Sequence, residues 1–199
     1  MELKKILVGL EGLKAKGKLD LDITGLESNS KNIKEGYMFI AIKGYSVDGH
    51  DYINNAIEAG AKVVMVQEGC DLKKIKLPAD VTIIMAKDTR EALAICSCNF
   101  YGNPSRKFKL IGVTGTKGKT TVTYIIHSIL EEYVKSKVGL ISSIDLYTGM
   151  RSEKSHITTP ESIDIEKYFY EMVQSNIKYA TIEVSSQSYK RFRLEGVKF

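Results

Sequence analysis

Residues 112–121 carry the residue types that a phosphate-binding loop needs. They read Gly-Val-Thr-Gly-Thr-Lys-Gly-Lys-Thr-Thr and lie between a predicted strand and a predicted helix. Gly115 and Gly118 let backbone amides approach phosphate oxygens, and the N-terminus of the following helix adds a partial positive charge. Lys119 is placed to reach the β- and γ-phosphates, and the Thr120 hydroxyl to bind Mg²⁺. The segment therefore predicts a nucleotide-phosphate site.

An acidic residue ends a predicted apolar strand farther along the chain. Residues 179–186 read Tyr-Ala-Thr-Ile-Glu-Val-Ser-Ser, which places Glu183 at the carboxyl end of that strand. Ligands of open α/β sheets bind at this edge, so the pairing with a phosphate loop predicts that Glu183 helps to hold Mg²⁺. A third segment, Thr158-Thr159-Pro160, opens a predicted helix, where hydroxyl side chains most often serve only as caps.

Alternating strands and helices along the whole chain indicate an α/β fold. The predicted strands are 37–42, 62–66, 81–86, 109–114, 138–141 and 179–184. The predicted helices are 3–10, 51–59, 88–100, 119–133 and 160–174. The stretch 23–35 is polar, and a long loop is expected between residue 141 and Pro160. Gly102-Asn103-Pro104-Ser105 breaks the pattern, so we predict one domain over 1–103 and a second over 104–199.

Composition excludes several classes of protein. Of 199 residues, 43% are hydrophobic and 27% are charged, which is ordinary for a globular chain and argues against global disorder or a coiled coil. The three cysteines, without a secretory signal, argue against a disulfide framework, and Cys96 and Cys98 are expected to be small buried hydrophobic residues. No apolar run approaches the roughly 20 residues that span a bilayer. We expect a cytoplasmic protein without a membrane partner.

Taken together and in this order, the motifs resemble those of the Mur ligases of peptidoglycan synthesis. Residues 115–121 look like the ATP loop of that family, including the absence of the first glycine of the strict pattern, which is Val113 here. Residues 36–50 are similar to a Gly-x-x-Phe-x-Ala-x-x-Gly strand with its following loop, and Asn29-Ser30-Lys31 to an Asp-Ser-Arg-like motif. The segments 158–160 and 183–186 match two further motifs. Within the family, these features point to the members that add the third amino acid of the peptide.

The resemblance implies a fold, a reaction and its participants. The fold is a small N-terminal α/β domain that binds the UDP substrate, followed by the first part of a P-loop NTPase-like parallel-sheet domain that binds ATP. The reaction is an ATP-dependent ligation through an acyl phosphate, with ATP and Mg²⁺ as cofactors. The substrates are UDP-N-acetylmuramoyl-L-Ala-D-Glu and an amino acid, lysine or diaminopimelate.

The resemblance also implies roles for individual residues. Lys119 and Glu183 are the expected catalytic residues, and Thr120 and Glu183 the expected metal ligands. The implied ATP-binding residues are Gly115, Thr116, Lys117, Gly118, Lys119, Thr120 and Thr121. The implied substrate-binding residues are Ser28, Ser30, Tyr45, Ser46, Val47, Thr158, Thr159, Ser185 and Arg193. Asn29 and Lys31 replace the usual Asp and Arg, which removes a bidentate donor for an anion, and Gln187 stands where a His is common.

In the family, the central domain continues beyond the position of residue 199 with further strands, a modified lysine and an Asp-His motif, and a third domain that binds the incoming amino acid follows it. We therefore expect no turnover from this chain by itself, and an exposed sheet edge that favours self-association. The full-length enzyme is expected to be a monomer.

Three other functions are compatible with the sequence. A different P-loop NTPase, such as a small kinase or GTPase, predicts tight nucleotide binding without a response to UDP-sugars. A non-catalytic nucleotide-sugar-binding module predicts UDP-substrate binding that survives Lys119→Ala. Nucleic-acid binding is the least favoured, because the net charge of +5 is spread along the chain without a dense basic block.

Overall fold

The computed structural model describes residues 1–44, 47–155 and 157–199. The chain divides into two compact units, Met1–Phe100 and Tyr101–Phe199. The division follows Phe100, whereas the sequence places the boundary after residue 103.

The first unit contains a five-stranded sheet with the strand order β1-β5-β4-β3-β2. Its elements are α1 (Leu3–Ile6), β1 (Lys14–Lys16), β2 (Gly25–Glu27), β3 (Tyr37–Ile40), α2 (Ile53–Glu58), β4 (Val63–Gln67), β5 (Thr82–Ala86) and α3 (Thr89–Phe100). Strands β2 to β5 pair in parallel, and β1 joins β5 antiparallel. The central strands are runs of Val, Ile and Met that are buried on both faces, as expected of parallel strands.

Local signals fix the helices of this unit. The Asp88 carboxylate accepts hydrogen bonds from the backbone N–H groups of Arg90 (2.8 Å) and Glu91 (3.2 Å), which caps the start of α3. Gly60 has φ +106°, a conformation that stops α2 and returns the chain to β4. Cys96 and Cys98 are buried on α3, as predicted. Burial raises the pKa of the Cys96 thiol to about 12, so it remains protonated at neutral pH.

The second unit has a five-stranded sheet with the order β6-β10-β7-β8-β9. Its elements are β6 (Lys109–Val113), α4 (Lys119–Val134), β7 (Gly139–Ile141), β8 (Asp145–Tyr147), β9 (Ser152–Lys154), α5 (Ser162–Gln174), β10 (Tyr179–Glu183) and α6 (Ser186–Lys190). Strands β6, β10 and β7 are parallel, whereas β8 and β9 are antiparallel. One face of the sheet packs on α5 through Ile165, Phe169 and Met172. The carboxyl ends of β6, β10 and β7 therefore share one edge of the sheet.

Strand β6 lies at the end of the strand order, and α4 is largely uncovered. Among the described residues of α4 only Thr123 is fully buried. An exposed apolar stripe runs along this helix and consists of Val122, Ile125, Ile129 and Tyr133. Among the described residues, β6 is thus an edge strand of the second sheet.

Six short elements differ from the sequence prediction. Helix α1 ends at Ile6 rather than near residue 10, and Gly9, with φ +87°, lies in the left-handed region, which a helix up to residue 10 would not allow. Strands β1, β2, β8 and β9 and helix α6 were not predicted. The β8–β9 hairpin lies in the segment expected to be a loop. Strands β1 and β9 are three residues long and fully exposed, so no apolar alternation marks them. The hairpin makes the second sheet mixed rather than wholly parallel.

Within the part of the chain that the structure describes, no helix is both long and apolar enough to cross a bilayer.

Candidate active site

The glycine loop joins β6 to α4 and has the backbone geometry that its sequence predicts. Gly115 has φ +155° and Gly118 has φ +78°, and the Gly118 value belongs to the left-handed region that favours glycine. Helix α4 begins immediately afterwards at Lys119. The Lys119 ammonium donates a hydrogen bond to the Gly115 carbonyl oxygen at 2.8 Å, so it folds back across the loop. The loop thus presents a cation and a helix N-terminus in the same place.

Glu183 lies beside this loop because β10 pairs in parallel with β6. The register places Glu183 opposite Val113, the last residue before the loop. Its side chain is buried, with 1% exposure. The Thr120 hydroxyl donates to Glu183 Oε2 at 3.1 Å, so the loop and the strand meet through these two side chains.

The surroundings of Glu183 fit a divalent cation. The partners that the described residues give this carboxylate are neutral: the Thr120 hydroxyl and the backbone N–H and hydroxyl of Ser143. A buried carboxylate without a positive partner carries a substantial desolvation cost, which a bound cation offsets. Carboxylate and hydroxyl oxygens are the ligands that Mg²⁺ prefers. Thr120 and Glu183 thus have the chemistry to hold it.

A cleft of 750 Å³ opens in front of the loop. It is lined by Thr114, Gly115, Thr116, Lys119, Ile157, Thr158, Thr159, Ser185, Ser186, Gln187, Arg191 and Arg193. Three of these residues are cationic and none of these lining residues is acidic. Such a cleft favours anionic groups, such as phosphates and carboxylates.

Thr159, Ser185 and Arg193 form one wall of the cleft and are tied to each other. The Thr159 hydroxyl donates to the Glu183 carbonyl oxygen (2.9 Å) and accepts from the Ser185 backbone N–H (3.0 Å). Arg193 is 7% exposed, donates to the Thr159 carbonyl oxygen at 2.7 Å and pairs with Glu161. Thr159 and Arg193 therefore hold this wall in shape, while the half-buried Thr158 offers its side chain to the cleft.

The other predicted substrate residues lie in the first unit. Ser28 directly follows β2, and Ser30 opens a short 3-10 turn whose cap is the Asn29 side chain, which accepts from the Lys31 backbone N–H at 3.1 Å. Because β2 and β3 are parallel, the segment after β3 leaves the same sheet edge. Val47 in that segment is exposed.

The predicted residues Tyr45 and Ser46 lie outside the described residues.

His50 organises this segment, a role that the sequence did not predict. Its Nδ1 lies 2.6 Å from Asp48 Oδ1, and its Nε2 accepts a hydrogen bond from the Gln67 backbone N–H at 3.0 Å. The acceptor role of Nε2 implies a neutral ring with the proton on Nδ1. Burial raises the pKa of Asp48, but hydrogen bonds from the backbone and ring of His50 outweigh it, and the net pKa lies below the ordinary value. His50 therefore fastens residues 48–50 to β4.

Ser143 was also missed by sequence reasoning, although a signal existed. It follows β7, whose carboxyl end lies at the same sheet edge as the glycine loop and Glu183. A hydroxyl residue just after a parallel strand next to a predicted metal site is a candidate for contact with that site.

Comparisons with known proteins match family models in both units. The family model "Mur ligase middle domain" matches residues 113–199, and the model "Mur ligase family, catalytic domain" matches residues 22–101. A protein of Clostridium tetani named UDP-N-acetylmuramoyl-L-alanyl-D-glutamate--2,6-diaminopimelate ligase is 46% identical over 199 residues, which are 100% of this chain and 40% of that protein. A protein of the same name from Bacteroides fragilis is 36% identical over 199 residues, which are also 100% of this chain and 40% of that protein. The chain thus spans about 40% of the length of these relatives.

Solved structures share the fold. A solved UDP-N-acetylmuramoyl-L-alanyl-D-glutamate--2,6-diaminopimelate ligase superposes with a TM-score of 0.76 at 17% identity, over 98% of this chain and 38% of that one. A related ligase from Acinetobacter baumannii, which acts with D-alanyl-D-alanine according to its name, gives a TM-score of 0.61 at 19% identity, over 92% of this chain and 36% of that one. At such identities the likeness concerns the fold alone. With family models matched in both units and close sequence relatives along its whole length, the chain belongs to the Mur ligase family.

Proposed function

We propose that this chain carries the nucleotide-phosphate site and the UDP-substrate site of an ATP-dependent ligase. The enzyme joins 2,6-diaminopimelate to UDP-N-acetylmuramoyl-L-alanyl-D-glutamate, the reaction that the names of its relatives describe. The observation that carries the proposal is the contact of Thr120 with Glu183 beside the glycine loop, which itself lines a cleft with cationic and no acidic lining residues. The choice of diaminopimelate over lysine rests on the relatives.

The nucleotide phosphates bind at the start of α4. Backbone amides of residues 115–121 surround the β- and γ-phosphates, and Lys119 leaves the Gly115 carbonyl to pair with them. Thr120 and Glu183 hold Mg²⁺, which supplies charge neutralisation on the phosphates when it is bound. Because ATP is a cytosolic metabolite, we place the reaction in the cytoplasm.

The chemistry consists of two displacements. A substrate carboxylate oxygen attacks the γ-phosphorus, and the bond from that phosphorus to the β–γ bridging oxygen breaks, which releases ADP and forms an acyl phosphate. The amine nitrogen then attacks the acyl carbon, and inorganic phosphate leaves while the nitrogen loses a proton. The cleft residues Lys119 and Arg191 stabilise the anionic groups and hold the carboxylate against the phosphate, while Arg193 supports the wall of the cleft through Thr159 and Glu161.

The substrate is recognised in both units. Thr158, Thr159, Ser185 and Arg193 shape the cleft that takes the muramoyl-peptide. The UDP moiety binds at the edge of the first sheet, at Ser28 and Ser30 and at the segment 45–47.

Calorimetric titration with UDP-N-acetylmuramoyl-L-Ala-D-Glu tests the proposal, with UDP and Mg-ATP as parallel ligands. We expect saturable binding of the muramoyl substrate and of Mg-ATP, and loss of the Mg-ATP response in Lys119→Ala. Binding of Mg-ATP alone would instead favour an unrelated P-loop NTPase. If the wild-type chain binds the muramoyl substrate but does not bind Mg-ATP, the result would favour a nucleotide-sugar-binding module.

A further inference from the structure

The two oxygens of the Glu183 carboxylate have different surroundings. Oε1 accepts from the Ser143 backbone N–H at 3.1 Å and from the Ser143 hydroxyl at 3.3 Å. Oε2 faces the Thr120 hydroxyl at 3.1 Å and lies 3.5 Å from the Ser143 hydroxyl. Oε1 is thus held by Ser143, and Oε2 faces the Thr120 hydroxyl, the other proposed ligand of Mg²⁺.

Ser143 is itself held in place by the turn that follows β7. The buried Ser142 hydroxyl donates to the Asp145 carbonyl oxygen at 3.0 Å and accepts from the backbone N–H groups of Asp145 (2.9 Å) and Ile144 (3.2 Å). These bonds close the turn around Ser143 and fix the direction of its N–H. The Ser143 hydroxyl also lies 3.1 Å from the Thr120 hydroxyl, so it touches both residues that face the proposed metal position.

We propose that Ser143 is a positioning residue that limits Glu183 to metal binding through Oε2, and that it thereby favours Mg²⁺ over Ca²⁺ at this site. The assignment rests on the proposed nucleotide site. The assignment adds to that site a residue, Ser143, and a metal preference, and neither is part of the loop motif or the strand motif.

The preference follows from the coordination chemistry of the two ions. Ca²⁺ accepts six to eight oxygens in flexible arrangements and often takes both oxygens of one carboxylate. Mg²⁺ requires a near-octahedral shell, keeps several waters and takes single carboxylate oxygens. A carboxylate whose Oε1 is already occupied by two donors loses the bidentate option, and this loss penalises Ca²⁺ more than Mg²⁺.

The test is calorimetric titration of ATP into the 199-residue chain, in Mg²⁺ and in Ca²⁺, for wild type and variants. Ser143→Ala removes the hydroxyl but keeps the backbone N–H, and Ser143→Thr keeps both. Ser128→Ala makes the same chemical change at an exposed position of α4 and is the matched control. Ser143→Cys, a near-isosteric change to a weak donor, replaces the alanine variant if circular dichroism shows that the latter is unfolded.

We expect Ser143→Ala to weaken ATP binding in Mg²⁺ by about tenfold, in the range seen when outer partners of metal ligands are removed. We expect its Mg²⁺-over-Ca²⁺ preference to fall by about fivefold, because a long hydrogen bond from the hydroxyl is lost while the backbone N–H still holds Oε1. Ser143→Thr and Ser128→Ala should keep the wild-type preference.

Two results would overturn the assignment: an unchanged preference in a folded Ser143→Ala, or an equal loss in Ser143→Ala and Ser143→Thr, which would indicate a role in packing only. If the wild-type chain shows no metal-dependent ATP binding, the proposed nucleotide site is wrong and the assignment fails with it.

Discussion

Replacement of Lys119 by alanine should separate ligand binding from stability at the glycine loop. Among the described residues, the Lys119 ammonium makes one hydrogen bond, to the Gly115 carbonyl oxygen at 2.8 Å. The side chain is half-buried at the first position of α4, where a positive charge opposes the helix dipole. The contribution of Lys119 to the free energy of unfolding is therefore small, and its contribution to the binding of a phosphate is large.

The two effects can be estimated from the geometry. A lysine at about 4 Å from a phosphate oxygen contributes about 4 kcal/mol at an effective dielectric constant of about 20. Solvent in the open cleft screens this attraction, so we reduce it by about a third to a half. The expected loss of binding free energy is then about 2 to 3 kcal/mol, which raises the dissociation constant of Mg-ATP by about 30- to 150-fold. Loss of the single partly exposed hydrogen bond costs about 0.5 kcal/mol of unfolding free energy, and relief at the helix N-terminus offsets part of it.

Calorimetry with Mg-ATP and urea unfolding measure the two quantities on the same samples. Lys117→Ala is the matched control, because Lys117 is exposed, lies in the same loop and carries the same charge. Screening limits its expected effect to about twofold in affinity. Equal losses of affinity in both variants would refute the assignment of the phosphate contact to Lys119, and a large loss of stability in Lys119→Ala would refute the estimate of its role in the fold.

Three further changes have defined outcomes. Glu183→Gln should make ATP affinity nearly independent of Mg²⁺, because the carboxylate that holds the ion is gone; titrations with Mg²⁺ and with EDTA measure this. Burial lowers the pKa of His127 in the folded protein below 6.5. The stability that the neutral ring contributes is therefore present above about pH 6.5 and is lost as the pH falls through the pKa of the folded state. Urea midpoints of wild type and His127→Gln between pH 7.5 and 5 measure this loss. Arg151→Met should lower the unfolding free energy by about 2 to 4 kcal/mol, because it leaves the buried Glu171 carboxylate without its cation; urea unfolding at pH 7 measures the loss.

Each of these expectations has a clear contrary result. Retained Mg²⁺ dependence in Glu183→Gln would place the ion elsewhere. If the urea midpoints of wild type and His127→Gln change in parallel with pH, His127 does not cause the loss of stability in acid. A double variant, Arg151→Met with Glu171→Gln, should recover part of the loss, and a failure to recover any would show that the pairing of the two charges is not its cause.

The elements with long apolar runs and clear caps were predictable from the sequence. Strand β6, helix α4 and strand β10 lie within a residue of their predicted bounds, because a buried strand, a glycine loop and a long helix each leave a local signal. The order of these elements also sufficed to place Glu183 near the loop, since parallel strands share their carboxyl edge.

What the sequence did not reveal depends on contacts between distant residues. The β8–β9 hairpin is short, and the outer strand is wholly exposed, so its pairing leaves little trace in the pattern of residues. Ser143 acquires its role only through hydrogen bonds to Glu183, 40 positions away. His50 is fixed by the backbone of Gln67 in another strand. The roles of the predicted substrate residues, Tyr45 and Ser46 among them, stay predictions.

Chemical-shift mapping of the ¹⁵N-labelled chain tests the central claim most directly, because one spectrum reports on both proposed sites. Mg²⁺ with a non-hydrolysable ATP analogue should shift the amides of residues 115–121 and of Ser143. UDP-N-acetylmuramoyl-L-Ala-D-Glu should shift those of Ser28, Ser30 and Val47 in the first unit, and those of residues 157–159 in the second. Shifts confined to other surfaces, or no shifts at saturating ligand, would contradict the account.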